Sequence, residues 1–387
     1  MLSFNDLCSF QVLYNAHKQA RLGKRNRTGV IQFEMDLATN LTQLSQELQN
    51  GTYKVGSYYQ FKVYDPKQRV IHALRYRDRV LQHALCDNIL QPYFENRLIY
   101  DNAACRVGKG THFAMDRLSQ FIHKHYTKYG TNGYFLKCDI SKFFYNIDHA
   151  VLKAMLAKCN FQKPVLDLCN LIIDSHIHNP NCSTSPKGLP LGNQTSQFFA
   201  LFYLDPIDRL IKEKLRIKYY TRYMDDFVLL HHDKVFLVEC LHQITQILQQ
   251  NLLLTLNPKT QIIPLSKGVQ FVGFQFTVNP KGKILRLLPT ARKYKTKRLI
   301  RKLQAIAQAI QRKPDPQFTQ TPAIKANQSH NTTRPLKTSN NSPPQNTPDQ
   351  PQNTPEWIKH YTQTRLQSIK AHLQHGNTHQ LCKQYKL

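Results

Sequence analysis

Two β-rich runs, Tyr219 to Tyr223 and Phe227 to His231, meet at Met224-Asp225-Asp226, and this arrangement constrains the fold more than any other in the chain. β-branched and aromatic runs around so short a break read as a hairpin. Two adjacent acids at its tip repel one another unless the turn is solvated or a cation lies between them. A comparable acid is Asp139, which follows the apolar run Phe135-Leu136-Lys137-Cys138. A carboxylate closing such a strand is costly if buried alone, so it belongs at an edge where something offsets its charge. Hard divalent cations such as Mg2+ take oxygen donors of this kind.

These acids stand out because acids are scarce. The 387 residues hold 53 Lys and Arg against 24 Asp and Glu, leaving a formal charge of +29. A surplus of that size calls for a polyanion, and nucleic acid is the default because neutralising its phosphates releases counterions. An anionic membrane surface is the rival. The sequence shows no run of about eighteen apolar residues and no charged-then-apolar leader, so a soluble, cytoplasmic protein with no membrane partner is expected. Nine cysteines form no CxxC pair, which indicates neither a zinc module nor a disulfide framework. The histidine pairs 123/125, 176/178 and 231/232 have spacings that rarely converge on one ion, and solvated or core roles are expected for them.

Along the chain, Phe4, Leu7, Phe10, Leu13 and Tyr14 give an apolar helical pattern that runs into basic residues from Lys18 to Arg27. The period predicts helices over 34–48, 77–93, 111–126, 151–156, 165–173, 196–215 and 236–250, and strands over 58–64, 69–74, 135–140 and 270–278. Asp65-Pro66-Lys67 is the expected turn between the first two strands. From Lys281 to Arg312 the chain carries many cations and no acid, which on a helix favours phosphate contact. Residues 314–355 include nine prolines among 42, with Asn, Gln, Thr and Ser dominating the rest. That composition offers too little apolar surface to offset the chain entropy lost on folding, and it predicts a disordered linker. A short basic helical tail follows.

Template-directed nucleotide addition requires two hard cations about 3.5–4 Å apart, held by acids that converge from separate strands. Tyr223-Met224-Asp225-Asp226 resembles the YxDD loop of reverse transcriptases, and Asp139 matches the acid of their first palm motif. The resemblance implies an α+β right-hand polymerase with fingers, a ferredoxin-like palm and a helical thumb. Fingers and an N-terminal extension would occupy 1–130, the palm 131–280, and a basic thumb 281–313 and 356–387, interrupted by the 314–355 insert. Asp139, Asp225 and Asp226 would be the catalytic acids. With the Ile140 carbonyl they would hold two Mg2+ ions, or Mn2+ instead.

The same resemblance places further residues. Phe144 would lie under the incoming sugar and reject a 2′-hydroxyl, implying dNTP rather than rNTP. Gly188-Leu189-Pro190-Leu191-Gly192-Asn193-Gln194-Thr195-Ser196-Gln197 resembles the second palm motif, which would set Leu191, Gly192 and Gln197 around the dNTP. Leu191 stands where most of the family has Gln, and Gln197 where most has Pro. This pattern, with Ala104-Cys105-Arg106-Val107-Gly108-Lys109-Gly110-Thr111-His112, resembles the enzymes of diversity-generating retroelements. Arg69, and after it Lys62, would grip the triphosphate, and Lys259 would protonate the pyrophosphate. Arg77 and Arg79 would meet template RNA or pair with Asp78. Gly273 would support the primer end, and Arg292, Lys293, Lys295, Lys297 and Arg298 would meet nucleic acid. Template RNA, its cDNA, dNTPs and a small basic accessory subunit are the implied partners. A retron, group II intron or phage-defence enzyme is the alternative within the class, and a catalytically silent RNA-binding protein the alternative outside it.

Overall fold

The computed structural model describes residues 2–64, 68–176, 186–311, 355–374 and 376. Among these, no helix is long and apolar enough to cross a membrane. The chain forms two compact units, the first running to Pro289 and the second built on two later helices. Nearly all of the 314–355 insert and the 65–67 turn lie outside the described residues.

Four helices open the first unit: α1 (Phe4–Leu7), α2 (Phe10–Ala20), α3 (Thr28–Met35) and α4 (Leu37–Gln49). Ser3 and Asp6 cap α1 reciprocally, and the Ser9 hydroxyl accepts from the Val12 N–H at the start of α2. The single helix predicted over 34–48 is broken at Asp36, whose backbone (φ −135°, ψ 55°) leaves the helical region. The predicted stripe survives the break, with Leu41, Leu44 and Leu48 buried.

Strands β1 (Tyr59–Val63) and β2 (Arg69–Ala73) pair as an antiparallel ribbon. Helix α5 (Tyr76–Leu85) passes through a wider turn at Cys86–Leu90 into α6 (Gln91–Arg97), and α7 (Thr111–Tyr129) follows. The centre of the unit is an antiparallel sheet of β3 (Tyr134–Asp139), β4 (Tyr219–Tyr223), β5 (Asp226–His231) and β6 (Gln261–Pro264), in the order β4-β5-β3-β6. Between β3 and β4 run α8 (Phe143–Asn146), α9 (His149–Ala157), α10 (Lys163–Asp174), α11 (Gln194–Tyr203) and α12 (Asp205–Arg209). Helix α13 (Lys234–Asn251) joins β5 to β6. This β-α-β-β-α-β order with an all-antiparallel sheet is the ferredoxin-like palm. Its apolar interior is made by Leu136, Cys138, Phe227 and Leu229 of the sheet together with Leu237, Cys240, Ile244 and Leu248 of α13.

Two more predicted elements are divided. The helix expected over 196–215 breaks at Leu204, ahead of Pro206, which cannot continue an intrahelical ladder. The strand expected over 270–278 is two strands, β7 (Val269–Phe271) and β8 (Phe274–Val278), joined at Val272-Gly273. A third strand, β9 (Ile284–Leu287), completes that sheet, so the first compact unit continues past the boundary expected at residue 280. Arg286, counted in the basic run, lies on β9 and is paired internally: Nη2 is 2.6 Å from Asp116 Oδ1, and Nε donates to Ser119 Oγ.

The second unit contains α14 (Thr290–Gln311) and α15 (Pro355–Gln374), which pack against each other. Ile300, Leu303 and Leu373 are buried there. Arg292, Lys293, Lys295 and Arg298 are exposed on α14, whereas Lys297 is half-buried.

Candidate active site

Register brings the sequence-predicted acids to one end of the sheet. In the β3–β5 ladder Asp139 stands directly opposite Asp226, and in the β4–β5 ladder Tyr223 stands opposite Asp226. Met224 and Asp225 are left as a two-residue turn. Directly opposed residues project to the same face of a sheet, so Asp139 and Asp226 share one face with Lys137, two residues back along β3. The turn takes an uncommon backbone conformation, with Met224 at φ +56°. Left-handed geometry at the first of two turn residues suits the twist of a hairpin but is normally filled by glycine.

The electrostatics follow from this geometry. Burial raises the Asp225 carboxyl above its ordinary value, and the like charge of Asp139 raises it further, while Lys137 and Arg69 oppose the shift. The Lys137 ammonium forms an ion pair with Asp226 Oδ1. Burial lowers this lysine to about 8, against the pull of Asp139 and Asp225. Among the described residues no three His, Cys, Asp or Glu side chains converge closely enough to hold an ion. Asp226 turns to Lys137, and among the described residues neither Asp139 nor Asp225 forms an ion pair with a lysine, although both act on the Lys137 charge.

That donor set still fits divalent cations. Mg2+ is commonly held by one or two protein carboxylates, with substrate phosphates and water completing its octahedron. The Ile140 carbonyl is left out of the pairing at this strand end. The Ser141 N–H donates to Thr255 O at 2.9 Å and the Asn257 N–H to Asp139 O at 2.7 Å. These bonds flank the Ile140–Leu256 bridge, and neither uses the carbonyl of Ile140. The raised Asp225 carboxyl beside Asp139 is the environment that an added cation would relieve.

Asn257 was not singled out from sequence, yet it organises this edge. Besides donating to Asp139, its Oδ1 accepts the Lys259 N–H at 3.0 Å. The Lys259 side chain is exposed on that short turn. A hint was present in Asn257-Pro258, a common turn opener.

The second-motif turn is tied to the β1–β2 ribbon. The His72 N–H donates to Leu191 O at 2.9 Å. A Cβ on Gly192, whose φ is +123°, would lie 2.8 Å from Ile71 Cγ2 and 3.2 Å from His72 O. Gly192 thus permits both the conformation and the close approach. Phe143 is buried, and Phe144 is half-buried with its carbonyl accepting the Leu189 N–H at 2.8 Å. Gln197 is exposed on α11, and its Oε1 accepts from the Cys105 thiol at 3.0 Å.

The ribbon separates the first and second candidates for gripping the triphosphate. Arg69 pairs with Val63 and Lys62 with Val70, so their side chains leave opposite faces. Arg69 shares its face with Ile71 and is close enough to Asp225 to lower its carboxyl. Lys62 points away from that face and does not join Arg69. Arg77 is also placed differently: it is ion-paired with Glu47 and stacked over Tyr53, while Asp78 accepts from the Tyr53 hydroxyl. Its role here is to tie α5 to α4. Arg79 lies over the Tyr76 ring at 5.6 Å.

The Val272-Gly273 hairpin joins β7 to β8 beside Lys137. Val272 (φ +40°) and Gly273 (φ +88°) both adopt left-handed geometry, which a β-branched residue rarely does. Phe271, at the start of this turn, has its ring centroid 5.4 Å from Lys137 Nζ.

Residues 62–276 match the family model described as reverse transcriptase (RNA-dependent DNA polymerase). No curated protein matches the sequence. Among solved structures, the chain is similar to telomerase from Candida albicans in complex with a TWJ fragment of telomeric RNA. That pair shares 13% identity at a TM-score of 0.45, over 67% of this chain and 52% of the other. It is also similar to apo telomerase from Candida tropicalis, at 14% identity and a TM-score of 0.46, over 60% of this chain and 49% of the other. The chain thus spans about half the length of these telomerase chains.

Proposed function

The chain belongs to the reverse transcriptase family, and from that premise we propose that it is an RNA-directed DNA polymerase using Asp139 and Asp225 as its metal ligands. The observation that carries this reading is the strand register, which sets Asp139 opposite Asp226 and leaves Asp225 at the adjoining turn. Two bound Mg2+ ions, or Mn2+, would activate a primer 3′-hydroxyl and stabilise charge on the attacked phosphate and the leaving pyrophosphate. The protein's own part is to position and to exclude. Asp139, Asp225 and the Ile140 carbonyl supply oxygen donors. Arg69, on the ribbon face toward the acids, binds the triphosphate, and Lys259 provides a proton donor at the site edge. Gly273 supports the primer end, and the exposed cations of α14 bind the RNA–DNA duplex.

Phe144 is the sugar gate: its neighbour Phe143 is committed to the core, leaving Phe144 half-buried beside the second-motif turn. Phe144→Ala should admit ribonucleotides. A contact of this kind is worth roughly 1–3 kcal/mol, so dNTP-over-rNTP selectivity should drop roughly 10- to 100-fold in single-nucleotide addition. Selectivity equal to wild type would assign the gate elsewhere.

The narrower role we propose is copying a template RNA with errors at adenines, for targeted gene diversification alongside a small basic accessory subunit. What supports it is the aliphatic lining of the second-motif turn, where Leu191 stands in place of an amide and Ile71 packs onto Gly192. Apolar contact discriminates weakly between bases, because a mispair leaves no buried polar group unpaired. Leu191→Gln should lower misincorporation opposite adenine, and an unchanged error spectrum would remove Leu191 from base selection. The whole reading is tested by incubating the purified protein with its neighbouring transcript, Mg2+ and dNTPs, then sequencing the product. Absence of cDNA overturns the polymerase. Faithful cDNA overturns the diversification role alone.

A further inference from the structure

Beneath the acid-bearing turn lies a fully buried ion pair that the proposed chemistry does not use. Arg222, on β4, and Asp208, on α12, both have side chains with 0% exposure. Arg222 Nε donates to Asp208 Oδ1 at 2.8 Å and Nη2 to Asp208 Oδ2 at 2.5 Å. The Tyr220 hydroxyl donates to the same Oδ1 at 2.5 Å. Backbone bonds fix the strand at this point: the Arg222 N–H donates to Asp101 O, and the Ala103 N–H to Arg222 O.

With two nitrogens spent on Asp208, the guanidinium is oriented as a rigid fork, and its remaining nitrogen has a defined target. Nη1 donates to Met224 O at 2.9 Å, while Nη2 also reaches Leu201 O at 3.2 Å. Met224 is the residue held at φ +56°, and its carbonyl belongs to the peptide unit that leads into Asp225. A non-glycine residue persists in left-handed geometry only where its surroundings over-determine it. Here the over-determining group is a charged donor anchored in the core.

We propose that Arg222 is the positioning residue of the metal site: locked by Asp208, it holds the Met224 carbonyl and so fixes the left-handed turn that aims the Asp225 carboxylate. This rests on the reading of Asp225 as a metal ligand. Lysine cannot substitute, because a single ammonium does not present the fork that spans Asp208 and Met224 O together. The same logic explains how a methionine is tolerated where the backbone favours glycine.

The test measures Mn2+ binding directly, by the loss of the free-ion electron paramagnetic resonance signal, alongside the unfolding midpoint. Arg222→Lys should raise the Mn2+ dissociation constant about tenfold or more, the range seen when groups that orient metal ligands are removed. Tyr220→Phe removes a bond to the same Asp208 carboxylate and leaves the Arg222–Met224 bond intact; it should lower the unfolding midpoint with Mn2+ affinity unchanged. In a Met224→Gly background, where glycine adopts the turn unaided, exchanging Arg222 for Lys should weaken Mn2+ binding clearly less than it does beside methionine. Asp225→Asn is the separate control. If it binds Mn2+ like wild type, the metal-ligand reading fails whatever Arg222 does. Three outcomes overturn the proposal itself: Arg222→Lys folds and binds Mn2+ as tightly as wild type, Tyr220→Phe weakens binding in step with its lost stability, or Arg222→Lys cannot fold and the arginine is framework alone.

Discussion

Asp225→Asn should abolish nucleotide addition while leaving a folded protein that binds RNA as wild type does. The substitution keeps the shape of the side chain and removes one negative charge from a pair of acids proposed to hold both cations. Lewis-acid stabilisation in such sites is worth several kcal/mol, and each 1.36 kcal/mol is a factor of ten, so the rate should fall on the order of a thousandfold or more. RNA affinity should persist because the chain keeps its large cationic surplus, 53 Lys and Arg against 24 Asp and Glu. Wild-type synthesis by the variant would refute the site.

Asp226→Asn should be much milder, even though the two acids are neighbours. Asp226 is ion-paired with Lys137, so its loss mainly alters the lysine's partner. Stability gives a second readout that runs opposite to activity. Burial, and then Asp139, raise the Asp225 carboxyl. A raised carboxyl stabilises the fold fully only below its unfolded-state value, and that contribution is lost as pH rises through the folded-state value. Without divalent cations at neutral pH, ionised Asp225 is therefore a burden. Asp225→Asn should raise the unfolding midpoint of the metal-free protein and flatten its decline between acid and neutral pH. Added Mg2+ should narrow the gap by stabilising wild type selectively. A metal-free variant less stable than wild type would mean that the carboxylate makes contacts worth more than its repulsion from Asp139.

What the sequence disclosed and what it concealed differ by range of interaction. The β4–β5 hairpin was legible because Tyr219–Tyr223 and Phe227–His231 form one local unit with the acids at its tip. Asp139 was legible as an acid closing an apolar strand. The partner of Asp226 was not, because alternation along β3 shows only that Lys137 and Asp139 share a face. Which acid the lysine meets depends on the β3–β5 register, a long-range fact. Strand β6 was missed because Gln261–Pro264 is short and its edge position leaves no alternation to see. Arg69 came first and Lys62 second as the cation for the triphosphate, and only the β1–β2 register shows that they leave opposite faces. Arg222 had no signal at all. Next to a tyrosine in a strand it reads as a surface cation, and only the arrival of Asp208 from α12 makes its burial affordable.

Asp208→Ala should be among the most destabilising single changes in the chain, with a loss of about 3–5 kcal/mol, because it strands an arginine in an apolar interior without its counter-charge. A typical domain has only about 5–15 kcal/mol to lose, so the variant should unfold at a clearly lower denaturant midpoint. Tyr220, whose hydroxyl also bonds Asp208, loses its acceptor at the same time. Replacing both partners tells the remainder. Asp208→Leu with Arg222→Met leaves no unpaired charge, and buried pairs exchanged for apolar side chains of similar volume are often near neutral. The double variant should therefore recover most of the stability lost by Asp208→Ala. It should not recover the metal site, because the Met224 carbonyl still lacks its donor and the left-handed turn its support. Stability regained with Mn2+ affinity still weak would show that the ion pair serves the geometry of the turn beyond holding the fold. Stability and affinity returning together would leave the pair with no role at Asp225.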